Sequence, residues 1–317
     1  MKLPSVSQAT QAANALRSLP RGIGLLLAIE MIQLWIDLPL LYGPNGLIEP
    51  ALLHLRQRPI GWSIYDLTDA IPYLQTLTLP TVHLLAVLYI GLCLALVFEL
   101  QVRLSSLLLL FLHQALFIAD PNWAYGVDYL VQTGLFFSCC FYPGRLTSGL
   151  PNNWAKIGLL ALQGQLTVVY IFGGWSKLMG GSWHNGEALW KAVQQAYIGS
   201  AIPISLNWGT WPYLWIAAGW AVILVELVYP LAWLGKHTRR CIWIAISGLH
   251  AGIALTMGLY HFAMIMIWYN CCAWYIPYKK LTKSINLPFE RDGSAIASTN
   301  GSPPPAIQGK GVQKKSK

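Results

Sequence analysis

The run IWIAISGLHAGIALTMGLYHFAMIMIWYNCCAWYI, residues 242–276, decides how this chain folds. It carries no formal charge from end to end. As one helix, at about 1.5 Å per residue, it would be about 52 Å long. A bilayer's hydrocarbon core is about 30 Å thick. The run is too long for one crossing and just long enough for two, so it must turn, and Gly258–His261 is where it can.

The same pattern recurs along the chain. Of 317 residues, 55% are hydrophobic and 10% charged, where a soluble domain carries about 25% charged. The apolar runs are Gly22–Leu41, Thr81–Phe98, Leu104–Ala119, Tyr125–Tyr142, Ile157–Trp175, Leu214–Leu234, Cys241–Gly258 and Phe262–Tyr278. A helix needs roughly 20 residues to cross, with a range of about 17–25, and the third run is the marginal one. The expected fold is an all-α polytopic membrane protein of about eight transmembrane helices, Gly22 to Tyr278. A cytoplasmic segment, 1–21, precedes it. A Ser-, Gly-, Pro- and Lys-rich tail from Ser284 follows and reads as disordered.

Charge placement supports that count. With a cytoplasmic N-terminus, all but four of the 21 basic residues fall on the inner side, the tail included. The four outside are Arg56, Arg58, Lys177 and Lys191. Asp37, Glu49, Asp66, Asp69, Asp120, Asp128 and Glu187 lie outside with them. This is the positive-inside bias, and it places both termini in the cytoplasm. Dropping one internal span reverses every later loop and destroys the bias. The net charge of +9 is thus a topology signal. No basic stripe interleaved with aromatics points to nucleic acid. The first apolar run lacks a small-x-small cleavage pattern and reads as a retained span.

The six cysteines sit in or at the ends of spans without a CxxC spacing, as small apolar packing residues do. No HxxxH, HExxH or DxxH pair is present, so no metal site is expected from local motifs.

Ionisable side chains at membrane depth are costly and point to function or to a buried partner. Glu30, Glu226 and His250 lie near mid-span. Asp37, His83, His113, Asp128 and His261 lie nearer the outer ends. Lys177 follows the fifth span in VVYIFGGWSKLMGGSWHNGEALW, Val168–Trp190. Each has a structural alternative: helix cap, snorkelling anchor or interhelical hydrogen bond. A mid-span glutamate has to be neutral or paired with a histidine or lysine. After Lys177, Leu189, Ala192, Val193 and Ala196 recur at helical spacing, which predicts an outer-face interfacial helix capped by Asn185 or Gly186. Trp175, Trp183, Trp190, Trp208 and Trp211 supply an aromatic belt.

The Val168–Trp190 segment resembles the lysine-bearing segment of the HTTM membrane proteins, the family that includes the vitamin K-dependent γ-glutamyl carboxylases. Other pieces follow in the family's order. These are RGIGLLLAIEMIQLWIDLPLLYGPNG from Arg21, DYLVQTGLFFSCCFYPG from Asp128, VELVYPLAWL from Val225, and GLHAGIALTMGLYHFAMI from Gly248. The resemblance covers roughly Arg17 to Pro277. It implies that Lys177 is the base that deprotonates a reduced quinone, with His250, Glu226 and Asp128 orienting or relaying. Trp175, Trp183, Gly186 and Asp37 would then border the substrate. Desolvation disfavours a charged amine, and a neutral amine can take a proton from a quinol lying in the bilayer.

Two departures are visible. Gly126-Val127-Asp128-Tyr129-Leu130 stands where the carboxylases carry Asn-His-Ser-Tyr-Leu, and no large lumenal domain follows the last span. Two functions are therefore expected. One is an enzyme acting on a lipid-soluble quinol or a small exported peptide at the outer face. The other is a non-catalytic membrane protein that binds an exported peptide, or helps mature it, within a complex. A transporter would be expected to show inverted repeats, and none is evident.

Overall fold

The computed structural model describes residues 6–42, 66, 78–118, 124–144, 153–195 and 200–278. Most of the loop after Tyr42, Asp120 and the tail from Ser284 lie outside these. The chain divides at Lys279 into two units, and the described residues all belong to the first.

Every ordered element among the described residues is helical. The helices are α1 (Val6–Leu34), α2 (Leu38–Tyr42), α3 (Thr78–Val97), α4 (Val102–His113), α5 (Gly126–Phe141), α6 (Asn153–Leu178), α7 (Gly181–His184), α8 (Glu187–Gln194), α9 (Pro212–Leu227), α10 (Lys236–Met257) and α11 (Tyr260–Asn270). Shorter turns extend several of them. π-helical turns follow α4 at Gln114–Ile118 and α11 at Cys271–Tyr275. 3-10 turns occupy Leu206–Thr210, Tyr229–Trp233 and Ile276–Tyr278.

α1 is the central column. Leu16, Leu19, Ile23, Leu27 and Met31 recur every three or four residues and are fully buried, a stripe that α3, α5, α6 and α11 cover. It is helical from Val6, well before the expected start of the span at Gly22, and Pro20 lies inside it. Gly24 sets the approach of α3, because a Cβ there would lie 2.6 Å from the carbonyl oxygen of Cys93.

The long 242–276 run does turn. α10 ends at Gly258, whose φ of 72° is the left-handed conformation glycine adopts without strain. α11 then starts at Tyr260.

Three helices among the described residues, Pro80–Val97, Trp154–Leu178 and Lys236–Met257, are long and apolar enough to cross a membrane by length and composition. The expected eight are not reached, for a physical reason. An apolar run does not always form one whole helix, and several here break into tighter or wider turns. α4, α5, α9 and α11 are 12, 16, 16 and 11 residues long, below the roughly 17 needed for a simple crossing. α1 has 29 residues, but its N-terminal half is mixed and polar.

The outward faces are apolar: Leu84, Leu88, Leu104, Leu108, Phe111, Leu160, Phe172, Leu224 and Ile244 are all exposed. A soluble protein rarely exposes apolar surface on this scale.

Candidate functional site

Lys177 ends α6, and its environment is built by glycines. Gly173 and Gly174 leave α6 without side chains where α9 crosses it. A Cβ on Gly174 would lie 2.9 Å from Leu227 Cγ, and one on Gly173 would lie 3.2 Å from Glu226 Oε2. The gap brings the Glu226 carboxylate to the amine, with Lys177 Nζ 2.7 Å from Glu226 Oε2. The side chains keep 22% and 12% of their exposure, so the pair is largely shielded from water. Nζ also donates to the Gly173 carbonyl at 3.3 Å, and the Trp183 ring lies over it with its centroid 5.3 Å away.

The segment after Lys177 folds back to close this end. His184 Nε2 meets the Leu178 carbonyl at 2.7 Å, and its ring stacks on Trp220 of α9 at 5.0 Å. Gly186 has φ of 79°, and a Cβ there would lie 2.5 Å from the backbone carbon of Trp215. Gly219 is the matching position on α9, where a Cβ would lie 2.6 Å from the Trp183 carbonyl oxygen.

α8 follows. Gly186 is its N-cap, Asn185 Oδ1 accepts from the Glu187 N–H at 3.0 Å, and Glu187 pairs with Lys191 at 2.5 Å. That contact with Lys191 holds the exposed Glu187 carboxyl below its ordinary value. No residue of α8 is fully buried.

Deeper on the same face of α6, seven residues and about 10 Å before Lys177, Tyr170 begins a buried polar chain. Its hydroxyl meets His250 Nε2 at 2.9 Å and accepts from Asn270 Nδ2 at 2.8 Å. Asn270 Oδ1 accepts from the Tyr229 hydroxyl at 2.7 Å, which in turn accepts from Trp274 Nε1 at 2.7 Å. His250 Nδ1 is buried without a hydrogen-bond partner.

Asp128 belongs to a different centre. It caps α5, accepting the Tyr125 N–H on Oδ2 at 2.8 Å. Its Oδ1 lies 3.5 Å from His113 Nε2, and His113 Nδ1 meets the Tyr89 hydroxyl at 2.9 Å. Asp128 and His113 are both buried.

The four expected catalytic residues thus divide. Lys177 and Glu226 are in contact, His250 lies deeper in a tyrosine–asparagine chain, and Asp128 is held by α4. Of the expected substrate-bordering residues, Trp183 and Gly186 are at the Lys177 end. Trp175 faces outward, 54% exposed. Asp37 sits in the turn after α1, its carbonyl capping α2 at Leu40 and Leu41.

Sequence reading gives the mid-span Glu226 a histidine or lysine as its partner, as Lys177 is, but does not join His250 or Asp128 to theirs. His113 had a usable signal, one hairpin away from Asp128. Tyr170, Asn270 and Tyr229 had none, because each comes from a different helix. Neither the groove at Arg21–Trp268 nor that at Glu99–Gly144 is lined by any of the four.

The fold and this site define an all-helical protein with helices of membrane-crossing length and a lysine–glutamate pair at the end of one of them. Compared with protein-family models, curated proteins and solved structures, the chain matches none of them.

Proposed function

We propose that this is a multi-pass membrane protein of the HTTM type, with both termini cytoplasmic, in which Lys177 is the base for a lipid-soluble hydroquinone at the outer face. The observation that carries the reading is the shielded Lys177–Glu226 contact at 2.7 Å. Away from water the charged pair loses solvation, and a proton passing from Nζ to Oε2 leaves a neutral amine beside a neutral acid. The amine can then take a hydroxyl proton from the quinol, leaving quinolate and ammonium. Trp183, which already covers Nζ, offers a flat face to an aromatic ring. The orphaned His250 Nδ1 supplies a further polar atom deeper along α6.

The test is Lys177→Arg. Arginine keeps the charge and the pairing with Glu226 but does not deprotonate in proteins. With the protein in nanodiscs, oxygen-dependent consumption of a reduced naphthoquinone should exceed that of empty discs. It should fall by at least about 100-fold in Lys177→Arg, with thermal stability unchanged. A Lys177→Arg protein as active as the parent sinks the assignment.

The second reading is a non-catalytic protein that binds an exported peptide. It is favoured by the outward aromatic surface beside α8, where Trp208, Trp211 and Tyr213 are exposed. It takes over if the parent turns over no quinol and a peptide partner is still captured by Lys177→Arg.

A further inference from the structure

Midway along α1, beside Ser18–Leu26, an apolar groove of about 490 Å³ opens between α1, the end of α3, and α11. Cavities of this size suit small amphiphiles. Its floor is made by Trp268, which lies across α1 where Gly22 leaves room: a Cβ on Gly22 would fall 2.0 Å from Trp268 Nε1. Leu25, Val97 and Met264 form the walls. Leu25 and Met264 remain 51% and 40% exposed, so the groove opens sideways, as a lipid-filled slot would.

The mouth is basic. Arg21 lines it and pairs with Glu99 at 3.0 Å, while its side chain stays 50% exposed. Glu99 also borders a second groove with Arg103 and Gly144. The Gly144 carbonyl accepts from Arg17 Nε at 2.9 Å. Arg103 donates to the Tyr142 carbonyl at 3.0 Å. Of these three guanidinium groups only Arg21 pairs with the carboxylate, while Arg17 and Arg103 are held by backbone carbonyls. The backbone at this mouth is held in an uncommon shape, with φ of 56° at Glu99 and 43° at Gln101.

We propose that the groove binds a membrane phospholipid with an anionic headgroup, the acyl chain lying on Trp268 and Leu25 and the phosphate meeting Arg21. Charge complementarity selects the occupant: an apolar slot whose mouth sets three guanidinium groups against the single Glu99 carboxylate matches an anionic amphiphile. The inference rests on the reading of the chain as a membrane protein, and it is independent of what Lys177 does.

The test is native mass spectrometry of the full chain, purified in detergent and exposed to phosphatidylglycerol or phosphatidylcholine. Phosphatidylglycerol should be retained in preference, and inorganic phosphate should not displace it. Arg21→Gln should lower that retention about fivefold, and Arg21→Lys should restore most of it. Leu25→Trp fills the slot from an exposed position and should reduce retention of both lipids. Equal retention of the two lipids by the parent overturns the proposal. So does retention unchanged in both Arg21→Gln and Leu25→Trp. Displacement by inorganic phosphate overturns the lipid as occupant. Release of the chain from membranes by alkaline carbonate overturns the membrane reading, and this proposal with it. Firm membrane retention without lipid preference overturns the groove alone.

Discussion

At the scale of single residues, the informative pair is Lys177 and Glu226. Both were singled out in the sequence, one as an outer-side cation, the other as a mid-span carboxylate needing a partner. Their contact was not legible, because it depends on two helices meeting at Gly173 and Gly174. The glycines were visible as letters, but their purpose appears only when Leu227 and Glu226 pack onto them. Removing one partner leaves the other charge largely shielded and unpaired, which is costly, while removing both is far less so. Lys177→Met and Glu226→Gln should therefore each destabilise the protein. The double variant should recover about 2 kcal/mol relative to the sum of the two. A double-mutant cycle by thermal unfolding in detergent measures this, and additive effects would mean the pair is not formed. Asp128 shows the opposite case. The resemblance implies an orienting or relaying role for it, whereas its Oδ1 lies 3.5 Å from His113 Nε2 of α4 and its Oδ2 caps its own helix at Tyr125.

At the scale of elements, periodicity and turn residues served well where the signal is local. The helical spacing after Asn185 gave α8, and Gly258 gave the break in the 242–276 run. α8 is placed by two glycines, Gly186 and Gly219, rather than by burial of its own side chains. Gly186→Ala should cost at least about 1–2 kcal/mol for the left-handed backbone alone. The added methyl also meets the Trp215 backbone, so α8 should detach. Limited proteolysis between Gly186 and Gln195 should then accelerate in the variant, and an unchanged cleavage rate would show that α8 docks by other means. Acidification acts on the same element. Glu187 titrates below its ordinary value of 4.5 because of Lys191, so its stabilising contact is complete above about pH 4.5 and is lost as pH falls through the lowered value. What was not legible was the ending of helices in π and 3-10 turns. Gln114–Ile118 and Cys271–Tyr275 read as ordinary apolar helix, yet each follows a buried polar residue, His113 or Asn270.

At the scale of the whole molecule, the question is how many helices cross. The proposed topology, with both termini cytoplasmic, needs an even number of crossings between the inner end of α6 and the Lys236–Arg240 cluster, hence one by α6 and one by α9. α9 alone is 16 residues, about 24 Å, short of a hydrocarbon core of about 30 Å. The 3-10 turn Tyr229–Trp233 continues it for five residues. At about 2.0 Å each these bring the total to about 34 Å. Run on in line with α9, that length would cover the core, and the proposed topology then places Met179 and Cys241 on opposite sides. Both are exposed: Met179 keeps 70% of its surface, and Cys241 is a free, exposed thiol. In intact cells a membrane-impermeant maleimide should leave Cys241 unlabelled until the membrane is permeabilised. In a Met179→Cys, Cys241→Ser protein the new thiol should label without permeabilisation. If both positions label from the same side, α9 does not cross. The positive-inside argument that places Lys177 at the outer face then fails, and the hydroquinone reading must be rebuilt on the inner face.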